Sequence, residues 1–152
     1  MSAPHPAKPS TNPFLQAGVV AQNADAEHLR AAVQDKPWGR EVIYADGSNG
    51  YVGKLITVLA GQALSLQLHN RKDETICVVS GEIVLESGSD ADSLESTTML
   101  AGDTVHIPPM VVHRIRAVTD AVLAEVSTAE IGWRHDVVRL ADDYGRTGTS
   151  AP

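Results

Sequence analysis

An all-β domain of short antiparallel strands, a sandwich or a barrel, is the fold class this sequence predicts. From residue 40 onward, short apolar runs follow one another, each closed by residues with turn chemistry. That region has no long 3.6-residue periodicity, so helices do not alternate with strands as in a parallel-sheet fold. At 152 residues with 43% hydrophobic content, the chain can bury one core and has little room for a second domain.

Residues 1–22 are expected to form a flexible tail. Pro4, Pro6, Pro9 and Pro13 are half of the chain's eight prolines, and each removes a backbone donor. Residues 24–35 (Ala-Asp-Ala-Glu-His-Leu-Arg-Ala-Ala-Val-Gln-Asp) are expected to form one short helix, capped by Asn23 or Asp25, with acidic side chains suiting its first turn. Strands are expected at 40–45, 51–60, 64–69, 74–80, 82–87, 97–100, 103–108, 113–118, 121–127 and 136–140. Their boundaries come from Asp46-Gly47, Asn49-Gly50, Gly61, Ser80-Gly81, Ser87-Gly88 and Ala101-Gly102. Residues 88–96 read as a solvated loop between two halves of the barrel, and Thr147–Pro152 as a frayed, flexible end. One domain over residues 23–146 follows.

Composition narrows the function. Twelve basic against nineteen acidic residues give a net charge of −7, and aromatics are only 4%. Phosphate-backbone binding and stacking on single strands are both disfavoured, so no nucleic-acid partner is expected. The single cysteine, Cys77, excludes an internal disulfide and a multi-cysteine metal cluster. It lies amid Ile76, Val78 and Val79 and reads as a buried, inert thiol. No apolar run is long enough for a membrane helix and no leader is recognisable, so a cytoplasmic protein without membrane contact is expected.

The chemistry concentrates in Leu64-Ser65-Leu66-Gln67-Leu68-His69. Strict alternation puts the three leucines on one face and Ser65, Gln67 and His69 on the other. In a small barrel the polar face points into the lumen, making Gln67 and His69 a pair of ligands. Glu74 opens the next strand, and His113 opens another far along the chain. Two imidazole nitrogens and two oxygens suit one divalent ion: zinc, iron, manganese, cobalt or nickel.

The spacing around these residues resembles the cupin motifs. Gly61, Gln67, His69, Glu74 and Gly81 follow the first motif, with Gln67 replacing its first histidine. Gly102, Pro108, Val111-Val112 and His113 resemble the second, with Met110 at its usual glycine and Ala117 at its usual asparagine. The turn before His113 is therefore expected to depart from the usual geometry. A closer resemblance is to type II phosphomannose isomerases. It is carried by Lys36-Pro37-Trp38-Gly39-Arg40, the Leu64–His69 run, Lys72-x-Glu74, Ile107-Pro108, His113-Arg114, Glu125-Val126, Asp136–Arg139 and Asp142–Arg146. In that family glutamine is the usual first ligand. The chain departs from it at Arg134 and His135, which replace acidic residues, and in the shortened Asn70–Asp73 stretch.

The resemblance implies a cupin jelly roll, a homodimer, and an aldose–ketose isomerase acting on a small sugar phosphate through an enediol. Gln67, His69, Glu74 and His113 would hold the metal, while Lys72 and Glu74 would serve the proton transfer. Arg134 and Arg139 would contact the phosphate if the C-terminal segment folds over the barrel mouth. Leu64, Leu66 and Leu68, facing away from the ligands, would pack on the other sheet or extend an apolar interface. Two other readings fit the same residues: a ferrous cupin oxygenase and a non-catalytic sugar-binding cupin. Elsewhere, Trp38 reads as a structural plug and His106 as either a lumen or a surface residue. Arg114 and Arg116 lie opposite His113 by parity, and Asp142–Arg146 read as a structural terminal turn.

Overall fold

The computed structural model describes residues 26–129, 132–146 and 148. Among the described residues there are eleven strands: β1 (Ala32–Lys36), β2 (Gly39–Asp46), β3 (Tyr51–Val58), β4 (Leu66–His69), β5 (Glu74–Ser80), β6 (Glu82–Gly88), β7 (Glu95–Leu100), β8 (Thr104–Ile107), β9 (Val112–Ala117), β10 (Ala121–Thr128) and β11 (Val137–Ala141). They form a six-stranded sheet, β1-β2-β3-β10-β5-β8, facing a five-stranded sheet, β11-β4-β9-β6-β7. Neighbouring strands are antiparallel throughout. This is the architecture of a cupin jelly roll. No described helix is long and apolar enough to cross a membrane.

The expected helix at 24–35 is not formed. Residues 24 and 25 lie outside the described residues, 26–31 have no regular structure, and 32–36 are the edge strand β1. The cause is tertiary. Lys36 pairs with Gly39 across the two-residue turn Pro37-Trp38, so β1 folds back along β2 and satisfies that strand's outer backbone groups. A helix there would have offered little to bury, since Leu29 is exposed. Gly39 cannot be larger: a β-carbon there would sit 2.0 Å from the Thr57 carbonyl oxygen. The expected tail at 1–22 lies outside the described residues, as does the expected C-terminal end apart from Gly148.

Two further expectations change. Residues 89–94 do not join two halves of a barrel. Gly88 ends β6, Glu95 and Ser96 begin β7, and these two strands pair directly in one sheet, making the segment a hairpin loop. The leucine stripe also breaks, because β4 begins only at Leu66. Leu64 packs against the core and Leu66 is buried, so these two follow the packing alternative and not the apolar interface.

The core fills one end of the sandwich. Ile56, Val58, Val78, Ile83, Ile115 and Leu123 are almost wholly buried, and Trp38 closes them off as expected. Removing such side chains from water stabilises the fold by about 1.5–3 kcal/mol each. Towards the other end the inward positions become polar. Register sets their neighbours: Gln67 lies opposite both His113 and Arg139, Glu74 opposite Ser127, and Glu125 opposite Lys54.

Candidate metal centre and cavity

Three of the four expected ligands converge. His69, Glu74 and His113 are buried, with donor atoms all within 4.8 Å of one another. Glu74 Oε1 lies 3.5 Å from His69 Nε2 and 3.2 Å from His113 Nε2. The proton positions follow from the other ring nitrogens. His69 Nδ1 donates to the Asp136 carbonyl at 3.0 Å, and His113 Nδ1 donates to the Val111 carbonyl at 2.9 Å. An imidazole tied this way, when it carries no second proton, presents a bare Nε2 lone pair to the carboxylate.

Three lone-pair donors facing one point repel unless a cation lies among them. Glu74 Oε1 is also buried without a hydrogen-bond partner among the described residues. Donors about 2 Å from a common ion would have separations close to these. The residues therefore fit a divalent metal. Gln67 reaches the same place but presents nitrogen: its amide Nε2 faces His69 Nε2 at 3.5 Å, while its Oε1 accepts from Ser65 Oγ at 2.7 Å. Rotating the amide by half a turn would offer the oxygen instead.

Lys72 is buried rather than surface-bound. Its ammonium donates to Glu74 Oε2 and, at 2.7 Å, to Glu125 Oε1. Burial opposes the charge, but the Glu125 and Glu74 carboxylates outweigh it and hold Lys72 above its ordinary pKa. Burial likewise pushes against an ionised Glu74, and the Lys72 ammonium together with the facing His113 and His69 rings outweighs it, leaving the carboxyl well below its usual range. In this arrangement Lys72 is a fixed cation and not a free base.

A cavity of about 90 Å³ opens beside these groups, against the ~10–15 Å³ that one water requires. Lys36, Lys54, Lys72, Arg134, Arg139 and Arg146 line it, opposed by the lining carboxylates Glu41 and Glu125. In a chain with net charge −7, this local excess of cations is the reverse of the overall balance. The structure thus brings both expected arginines to the cavity, though not equivalently. Arg139 is buried in its wall, while Arg134 is exposed at the rim with its guanidinium 4.5 Å from the centre of the Trp133 ring.

Apart from Arg146, which lines the cavity, the remaining candidates are engaged elsewhere. His106 is exposed and paired with Asp73 at 2.8 Å. Arg114 and Arg116 hold Glu86, opposite His113 as parity requires. Cys77 is only half-buried, because Ile76 and Val78 take the inward positions of β5. The terminal turn is structural: Arg146 grips both Asp142 oxygens, and the Tyr144 hydroxyl donates to Gln62 at 2.7 Å. Met110 has φ 69°, and its amide donates to the His69 carbonyl at 2.8 Å. The turn before His113 therefore takes the left-handed conformation a glycine would favour, so the expected departure in geometry is not seen.

Residues 22–142 match the family model described as mannose-6-phosphate isomerase C-terminal. The chain belongs to that family. Among curated relatives, the xanthan biosynthesis protein XanB of Xanthomonas campestris pv. campestris is 33% identical over 114 residues, 74% of this chain and 23% of the relative. A mannose-1-phosphate guanylyltransferase of Escherichia coli is 30% identical over 127 residues, covering 81% and 25%. This chain thus spans about a quarter of the length of either relative. Among solved structures, the capsular polysaccharide assembling protein CapF of Staphylococcus aureus matches with a TM-score of 0.61 at 17% identity, over 76% of this chain and 35% of that one. An S161A mutant of Bacillus subtilis oxalate decarboxylase matches with a TM-score of 0.60 at 20% identity, over 72% and 30%. These structural likenesses bear on the fold.

Sequence reasoning missed several groups in and around the cavity. Glu125 and Asp136 were visible only as members of family-like runs, although Glu125 holds Lys72. Asp136 accepts from the backbone amides of Asn70, Arg71 and Lys72. Lys54 and Glu41 carry no motif. Their signal is charge at inward strand positions, which becomes visible only once register is known.

Proposed function

We propose that this chain is a metal-dependent sugar-phosphate isomerase, interconverting a mannose-6-phosphate-like aldose and its ketose. The observation that carries the reading is the joining of two features: the lone-pair cluster of His69, Glu74 and His113, and the cation-lined cavity beside it. A bound divalent ion, held by these residues with Gln67 rotated to offer oxygen, would polarise the substrate's carbonyl and hydroxyl oxygens. Family membership supports the substrate class, and the Mn(II) centres of the oxalate decarboxylase neighbour make manganese a natural first metal to test.

The chain's own groups divide the remaining work. Isomerisation moves one proton between C2 and C1 and one between the two oxygens, with no net redox change. Lys72 stays charged and stabilises negative charge as the enediol forms. Glu125, on the cavity wall and bonded to Lys72, takes the carbon-bound proton and returns it to the neighbouring carbon. Arg139, and Arg134 at the rim, contribute positive potential for the phosphate. A homodimer belongs to this reading, with its surface moved from the leucine stripe to the outer face of the six-stranded sheet. There Val33, Val42, Leu55, Ala124 and Cys77 stand side by side across five strands.

The test is to strip the protein with chelator, reload it separately with manganese, zinc, iron, cobalt or nickel, and follow mannose 6-phosphate in deuterated water. The expected result is metal-dependent ketose formation with solvent deuterium at the transferred position, reduced at least ~100-fold by His69→Ala. Absence of isomerisation with every metal and with other aldose phosphates would overturn the reading.

A further inference from the structure

At the far side of the cavity, two ammonium groups share one carboxylate. Lys36 Nζ lies 3.7 Å and Lys54 Nζ 3.6 Å from the two Glu41 oxygens, and the side chains are only 5%, 11% and 10% exposed respectively. These distances exceed the ~2.7–2.9 Å of a charge-assisted hydrogen bond. Lys72, in the same cavity, contacts two carboxylates. The Lys36–Glu41–Lys54 group therefore carries one net positive charge under cover, loosely held, where a buried cation is expensive unless matched. Arg139 and Arg146 add positive potential at Lys36. On the same face of β1, Gln34 Oε1 is buried without a hydrogen-bond partner among the described residues, and Gln34 is the cross-strand partner of Glu41.

We propose that Lys36 and Lys54, spaced by Glu41, are the anion-binding end of the cavity, built to take the phosphate monoester of a polyhydroxylated substrate. The Gln34 side-chain carbonyl oxygen accepts a hydrogen bond from one of that substrate's hydroxyls. The sugar-phosphate identity rests on the isomerase reading, whereas the anion site does not. Reach is consistent with a single ligand bridging both ends. The strand of Lys54 is separated from that of Glu74 by β10 alone, about 10 Å at ~4.8 Å per strand step, near the span of a phosphorylated hexose. Glu41 keeps the empty site from an unbalanced pair of buried charges, and it competes with the incoming phosphate.

Calorimetric titration of the full chain with inorganic phosphate, mannose 6-phosphate and mannose tests this. Phosphate and mannose 6-phosphate should bind while mannose binds far more weakly. Lys36→Met and Lys54→Met should each weaken phosphate binding at least tenfold. Glu41→Gln should tighten it several-fold, because the competing charge is gone while both ammonium groups remain. A purely structural ion cluster requires the opposite: Glu41→Gln would lower thermal stability without raising anion affinity, and that result overturns the proposal. Phosphate affinity unmoved in all three variants overturns it as well. If the lysine variants do not fold, Glu41→Gln decides alone. Phosphate binding with these dependences but without isomerisation would uphold the anion site and remove the isomerase. Isomerisation with KM unchanged in Lys54→Met would uphold the isomerase and remove the anion site.

Discussion

Replacing Asp136 with alanine tests how the turn carrying His69 and Lys72 is held. The Asp136 carboxylate accepts three backbone amides, from Asn70 at 3.2 Å, Arg71 at 2.9 Å and Lys72 at 2.8 Å. Bonds to a charged acceptor contribute about 1.5–3 kcal/mol each when shielded, but this carboxylate is half-exposed and the freed amides can turn to water. The expected loss for Asp136→Ala is therefore about 2–3 kcal/mol at pH 7, and Asp136→Asn, which keeps an acceptor without the charge, should lose about half. Partial burial pushes the Asp136 carboxyl upward, and the three amides outweigh it and hold its pKa below the ordinary value. A carboxyl lowered in the fold stabilises above its unfolded pKa, and that contribution fades as pH falls through the lowered native value. Urea unfolding of parent and variant should thus differ by a constant amount above about pH 5, with the gap narrowing only below about pH 4. Metal affinity should fall roughly tenfold or more, because the turn also fixes His69. Equal urea midpoints at pH 7, or a gap of the same size at pH 3, would refute this account.

Two other substitutions have definite expectations. Lys72→Met leaves Glu74 and Glu125 buried without their shared cation and should destabilise by about 3–5 kcal/mol, far more than a surface lysine would; an unchanged melting temperature would place Lys72 in solvent. Met110→Gly removes the left-handed strain of a side-chain-bearing residue at φ 69° and should stabilise by about 0.5–1 kcal/mol in denaturant titration, since Met110 is exposed and gives up little packing.

Strand existence and turn placement were legible because both are written locally. Alternation and glycine-bearing turns recover β5 at its observed bounds and most other strands within two residues. The same local alternation foretold that His69 and Gln67 would share a face, and the motif spacing foretold Glu74 and His113. β1 was not legible, because Ala32–Lys36 has helix-compatible residues and becomes a strand only by pairing with β2. For the same reason Lys36, Glu41, Lys54 and Glu125 carried no sign of sharing a cavity. They come from four different strands, and a charge on a strand reads as solvent-facing until the opposite sheet covers it. Residue type and parity along each strand can be read from the chain locally. Which strands lie side by side, and so which charges are buried together, emerges only on folding. Parity is a property of a single extended backbone, whereas register and sheet order depend on contacts between residues far apart in the chain.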